Sequence, residues 1–184
     1  TAQGILVAKL VNMGNLDIAG PTFTAGSDMP TVTTLGQSRP LASALMIEVT
    51  TVLNATPGSY TVTYVDQDGN GAETTASVAL TASAPVRTVG YAALNSTDWG
   101  VRSITTATRT GGTTPTGVIT FYGIIPIAMY SVSPSTIGVC NSDNIMTSGV
   151  NVPRLAAGDV IGAFAFNNAA VKSLVGSLTI IGDD

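Results

Sequence analysis

A chain of 184 residues is long enough to bury a sizeable core as one domain without disulfides or metal ions. Only 10% of it is charged and 45% is hydrophobic, against about 25% charged in an ordinary soluble protein, so its surface must rest on Thr, Ser, Asn and Gly or be covered in an assembly. Seven basic against 11 acidic residues, with neither sign in runs, exclude the electrostatic footprint of a nucleic-acid binder, and a single cysteine, Cys140, excludes a disulfide framework.

Short runs rich in Val, Ile, Thr, Tyr and Phe recur between clusters of Gly, Pro, Asn and Asp, the pattern of an all-β sandwich or barrel. No stretch combines helical periodicity with caps at both ends. Strands are predicted at 4–11, 42–53, 59–65, 73–81, 86–94, 101–109, 117–125, 127–132, 159–166 and 174–181. The opening TAQGILVAKLVNMG lacks the basic start, long apolar stretch and small-residue cleavage site of a secretory signal, although a cleaved one would leave no trace, and the single cysteine permits synthesis in a reducing compartment such as the cytoplasm. Residues 12–40 hold Pro21, Pro30 and Pro40, several glycines and no sustained period. A structureless insert of this length is unusual inside a compact domain, so it reads as an extended arm or a long functional loop. The expected organisation is an N-terminal strand and arm or loop region, 1–40, and a β-sandwich domain, 41–184, together one compact unit. Ig-like, jelly-roll and barrel-like arrangements all fit this pattern.

Tyr60, Val62 and Tyr64 share one face of the strand at 59–65, and Thr74, Ala76, Val78 and Leu80 share one face of the strand that follows. Between them lies VDQDGNG, in which Asp66, Asp68 and Asn70 have the spacing of calcium ligands. A helix-flanked calcium loop needs a bidentate Glu at its twelfth position, where this chain has Ser77, and its flanks here are strands. The favoured reading is a hairpin turn, with Asp66 and Asp68 accepting from backbone N–H groups and Gly69 and Asn70-Gly71 supplying positive φ. Weak calcium binding is the alternative.

The run VITFYGIIPIAMYSV at 118–132 is shorter in its apolar part than the roughly 20 residues of a membrane helix, and it carries Gly123 and Pro126. It reads as strand covered on both sides, with Val118, Tyr122 and Ile124 facing one way and Ile119, Phe121 and Ile125 the other. No membrane partner is expected.

Histidine is absent, which removes the usual general base, the commonest metal ligand and the Ser-His and Cys-His nucleophile pairs. Cys140, between apolar residues and Asp143, has no activator and reads as a small buried hydrophobe. No phosphate loop, dinucleotide fingerprint or nucleophile elbow is present, and nothing selects a catalytic pair among the carboxylates. No catalytic, cofactor or metal residue is assigned, and the chain is expected not to be an enzyme. Asn54 and Asn95 match the glycosylation acceptor pattern by chance in a Thr-rich chain. Trp99, the only tryptophan, reads as a core plug at a strand start, with an exposed stacking or interface role as the alternative.

The runs SYTVTYVDQDGNGAETTASVALTASA at 59–84 and ALNSTDWGVRSITTATRTGGTTPTGVITFYGIIPI at 93–127 resemble small virion structural proteins of tailed bacteriophages, and among these most of all the decoration, or cement, proteins that coat the major capsid protein. The resemblance covers the middle third to half of the chain and lies in a style of hairpin and strand. It implies a compact β fold that gathers as trimers or dimers on the outer capsid surface and stabilises the shell by bridging neighbouring major capsid subunits. Residues 1–40 would then supply an arm toward the shell or a neighbouring copy. The competing reading is a tail or baseplate β domain that attaches to host-surface sugars.

Overall fold

The computed structural model describes residues 3–20, 22–34, 37–40, 44–53, 58–111, 116–132, 140–142 and 160–166. These residues form antiparallel sheets, and none of them is helical. Among the described residues thirteen strands follow one another: β1 (Gln3–Asp17), β2 (Thr22–Ala25), β3 (Thr31–Thr34), β4 (Gln37–Pro40), β5 (Ala44–Thr51), β6 (Ser59–Asp66), β7 (Glu73–Thr74), β8 (Val78–Ala79), β9 (Val89–Ala92), β10 (Val101–Thr110), β11 (Val118–Val132), β12 (Cys140–Ser142) and β13 (Val160–Phe166). The larger sheet runs in the order β13-β1-β11-β5-β9, with β2 added to β1 and β12 to β11. A smaller sheet, β10-β6-β7 with β8 also on β6, faces it, and β3 and β4 form a separate two-stranded ribbon.

The two faces close on one core. Leu16, Leu45, Ile47, Val49, Ile119 and Phe121 of the larger sheet, all at 0% exposure, pack against Tyr60, Val62, Tyr64, Val101, Ile104 and Ala107 of the smaller one. Burial alternates strictly along β6, so Tyr60, Val62 and Tyr64 share the inner face as their spacing predicts. On β10 the buried residues are instead three apart. Register shifts between Val101 and Ser103 and between Ile104 and Thr106 each insert one residue, which re-aims the strand inward at Val101, Ile104 and Ala107.

β1 and β11 pair along their whole lengths, from Gln3 opposite Val132 to Asp17 opposite Val118. The strands expected at 117–125 and 127–132 are therefore one, continuous through Pro126. Pro126 cannot donate a ladder bond, and it lies at a register shift: Val7 faces Ala128, Ala8 faces Pro126, and Ile127 is the extra residue. A second shift leaves Met13 without a partner between Asn12 and Gly14. Met13 turns into the core, where it is 1% exposed. Gly14 follows it at φ +149, and a Cβ there would meet the Phe23 ring at 2.5 Å and the Thr24 carbonyl at 2.9 Å. Glycine is required by both the dihedral and the space.

The arm expected from residue 12 onward is corrected by these pairings. Residues 12–17 finish a central strand, and Met13, Leu16 and Ile18 are core residues. β2 then returns along β1, with Phe23 edge-on to Phe121 at 6.1 Å between ring centroids. The chain next crosses between the sheets: Gly26 N–H donates to the Met13 carbonyl, Ser27 N–H to that of Asn12, and Met29 N–H to that of Arg102 on β10. Met29 is 4% exposed and joins the same core. Prolines and glycines hid these elements because each is only four residues long and takes its stability from the neighbouring strand, not from its own pattern.

Over 118–125, β11 is covered on both faces, as its composition predicts. Ile119, Phe121 and Ile125 belong to the core between the sheets, while Ile124 joins Ala8 and Met46 in a second buried cluster on the opposite face, with Leu10, Ala44 and Tyr122 packed against it. The outgoing strand expected at 73–81 is broken into β7 and β8. Between them Thr75 N–H donates to the Val62 carbonyl at 2.9 Å, and the Thr75 hydroxyl accepts from Val62 N–H at 3.1 Å. Thr75 and Leu80, not Thr74 and Ala76, are consequently the buried residues. On β10, Arg109 lies opposite Tyr60 with Nε and Nη2 buried and lacking an acceptor; burial pushes the Tyr60 phenol up, and the guanidinium beside it pulls it partly back. The strand expected at 174–181 lies outside the described residues.

Because β1 is central, removing residues 1–16 is expected to abolish the β-type circular dichroism spectrum and the cooperative thermal transition. A truncated chain that still unfolds cooperatively would show that β1 is dispensable.

Candidate functional site

The Asp66 to Asn70 segment is a hairpin turn between β6 and β7. Asp66 N–H donates to the Asn70 carbonyl at 2.9 Å, and Gly69 N–H to the Asp66 carbonyl at 3.3 Å. The Asp66 side chain, 3% exposed, organises the turn from within. Its Oδ1 accepts from the N–H groups of Asp68 and Asn70, both at 2.8 Å, and its Oδ2 accepts from the Asn70 amide at 2.8 Å. Burial works against the charged form, but the hydrogen bonds from Asn70, Asp68 and Gly69 together outweigh it and hold the carboxyl below its ordinary value. The left-handed positions are Gly69 (φ 92) and Ala72 (φ 69), so Ala72 takes the conformation expected of Asn70-Gly71. Both Asp66 oxygens face their own loop, while Asp68 is exposed and accepts from the Gln67 amide at 3.2 Å. No cluster of three or more His, Cys, Asp or Glu side chains occurs among the described residues.

Gln67, 5% exposed, fastens this turn to the segment before β10. Its Oε1 accepts from Trp99 N–H at 3.1 Å and Gly100 N–H at 3.2 Å. Its carbonyl accepts from Arg102 Nε at 3.0 Å and Nη2 at 2.7 Å. One residue back along the inner face of β6, the Tyr64 hydroxyl donates to Asp98 Oδ2 at 2.5 Å and accepts from Asn95 N–H at 2.9 Å. The Asn95 amide donates to Glu73 Oε2 at 2.9 Å. Tyr64 is pushed up to about 12, by burial first and by its hydrogen bond to Asp98 next. Residues 93–100 are thus pinned at several points from below, a fixed loop on a rigid scaffold.

The surface left outside this network is apolar at both ends of the β5–β9 ladder. β9 ends the larger sheet, and on it Gly90 and Ala92 face the core while Val89 and Tyr91 are each 44% exposed. The ladder continues beyond Val89: Val49 N–H donates to the Thr88 carbonyl, Arg87 N–H to that of Val49, and Leu53 N–H to that of Ala84. Along this extension Val52 is 53% and Val86 46% exposed. At the Leu45–Ala92 end of the same ladder an open cleft of about 440 Å³ is lined by Ala44, Leu45, Tyr91–Ser96 and Asp98, and Tyr91 follows Val89 on the same outer face, about 7 Å on at about 3.4 Å per residue.

Trp99, expected in the core, is 45% exposed. Its position is set by the backbone bond to Gln67, which places residue 99 on the outside of the pinned loop, a long-range contact with no trace in local pattern. The one legible hint of the cleft was the small-residue run around a single aromatic, GYAALNS. Of the other singled-out residues, Cys140 falls on β12 opposite Val132, and its expected burial lies outside the described residues, as does Asn54. Comparison with protein-family models, with curated proteins and with solved structures finds no match.

Two pH responses follow. Tyr64 is neutral in the fold up to about 12 while unfolded tyrosines ionise near 10, so its contribution is complete below about pH 10 and lost on the way to about pH 12. A tyrosinate absorbance titration should find one phenol ionising last, with unfolding, and Tyr64→Phe should remove that step and destabilise by about 1–3 kcal/mol. Asp66 runs the other way: its contribution is present above its ordinary value of 3.8 and is lost as the pH falls below it. Asp66→Ala should cost about 1–3 kcal/mol in urea unfolding near neutral pH, with the difference from wild type shrinking in acid.

Proposed function

We propose that the protein is a non-enzymatic virion structural protein that binds the outer surface of a tailed-phage capsid and stabilises the shell by bridging neighbouring major capsid subunits. The observation that carries this reading is the set of exposed valines, Val89 and Val86 on the edge strand β9 and its extension and Val52 just past the end of β5 beside them. An unprotected apolar sheet edge is a liability in a free monomer and an asset at an interface. The low charge content and the likeness of 59–84 and 93–127 to decoration proteins support the same reading. So does the internal use of the polar groups: Asp66, Gln67, Tyr64 and Asn95 are engaged in holding loops, not presented to a reactant.

The mechanism is linkage. A protein that buries its edge only against the assembled shell adds binding free energy to that state alone, and symmetry repeats a modest contribution over many equivalent sites. Copies would gather as trimers or dimers at the joints between capsomers, after synthesis in the host cytoplasm.

The exposed Tyr91 and Trp99 favour a second reading, a tail or baseplate β domain for host-surface sugars. Copy number per particle separates the two. Quantitative mass spectrometry of purified virions should give a ratio to the major capsid protein of one, or a simple fraction of it; a few chains per particle would sink the capsid reading. Val86→Asp with Val89→Asp should leave the fold intact and reduce capsid binding by at least about tenfold, equivalent to about 1.4 kcal/mol.

A further inference from the structure

We infer that the cleft at the Leu45–Ala92 end of the β5–β9 ladder is a binding site for a neutral glycan, wherever on the virion the protein resides. The first support is its size and shape. About 440 Å³, open on one side, lies in the range of small-ligand sites and suits one or two sugar rings entering from solvent. The second is the lining. The Tyr91 ring stands 44% exposed on the outer face of β9, and the C–H face of a pyranose packs on such a ring while its hydroxyls stay free. The half-buried Ala44 and Leu94 and the exposed Ala93, above the buried Leu45 and Ala92, add apolar contact, and Asn95, Ser96 and Asp98 bring amide, hydroxyl and carboxylate groups to the same rim.

The third support is rigidity. Asp98 is held by the Tyr64 hydroxyl at Oδ2 and by the Thr97 hydroxyl at Oδ1, and Asn95 by its bonds to Tyr64 and Glu73. A rim fixed before the ligand arrives loses little conformational entropy on binding. Charge then selects among glycans. Among the described residues the lining includes Asp98 and no Lys or Arg, and Glu73 lies behind Asn95. Two carboxylates with no cation among the described lining residues disfavour sialylated, sulfated or uronic sugars and leave neutral hexoses and N-acetylhexosamines. Tyr91 is the stacking residue in this assignment, Asp98 the hydroxyl acceptor, and Tyr64 a positioning residue that acts through Asp98.

The test is a glycan array probed with the full chain, bearing gluco-, galacto- and manno-oligosaccharides, N-acetylglucosamine oligomers and sialylated or sulfated counterparts. At least one neutral series should bind, and Tyr91→Ala should weaken it by at least about tenfold. Tyr91→Phe, which keeps the ring, should retain binding to within a few-fold. Ala93→Leu, which fills the cleft from its exposed wall, should reproduce the loss without removing an aromatic. Circular dichroism and thermal unfolding would confirm that the variants fold. Wild-type protein that binds no neutral glycan, binds only the acidic ones, or keeps its binding in both Tyr91→Ala and Ala93→Leu would overturn the assignment. Ala93 lies beyond the valines, so Ala93→Leu separates the two surfaces: it should weaken glycan binding and leave capsid binding unaffected.

Discussion

The antiparallel pairing of β1 with β11 is the constraint on which the rest of the structure depends. It is the longest ladder in the molecule, and every other strand of the larger sheet attaches to one of its two members or to β5 beside it. Its two register shifts fall beside Pro126 and beside Gly14. Pro126 lacks a donor and needs a shift beside it, and Gly14 can take the dihedral that lets Met13 leave the ladder. Met13 then meets Met29, delivered by the crossing segment, and a Cβ at Gly123 would collide with both sulfurs. The central pair therefore also locates the chain that ties one sheet to the other.

On that base, the polar side chains of the smaller sheet act as fasteners. Asp66 shapes the turn, Gln67 joins the turn to residues 99–102, and Tyr64 joins β6 to residues 95–98. Each is buried and engaged, which makes it costly to disturb and leaves it few free valences for chemistry. Recognition then falls to what the fasteners hold in place. An apolar edge at one end of the β5–β9 ladder and an aromatic cleft at the other would let one small domain hold a surface and face solvent at once.

Much of the architecture was legible locally. The β6 alternation of Tyr60, Val62 and Tyr64, the double-sided apolar character of 118–125 and the hairpin chemistry of Asp66 to Gly69 were read from side-chain type and spacing, because each rests on a two-residue period or on a turn a few residues long. Less legible were the elements that borrow their stability. β2, β3, β4 and β12 are three or four residues long, and their strand character comes from pairing with the neighbouring strand, since each is too short to show a period of its own. Thr75 was assigned to the wrong face because its hydroxyl replaces a backbone partner for Val62, which breaks the strand and shifts its phase.

What the sequence by itself determined was the class of protein: all-β, short of charge, without histidine chemistry, and with a hairpin turn at 66–70. Those properties are sums over residues or interactions between near neighbours, so they survive without coordinates. The tertiary structure alone decided that the N-terminal segment is the middle of a sheet, that Trp99 faces outward and that Tyr91 borders a cleft. Each of these depends on which distant strands pair and in what register. A one-residue change in register reverses every side chain on a strand, so no reading of local pattern could have placed them.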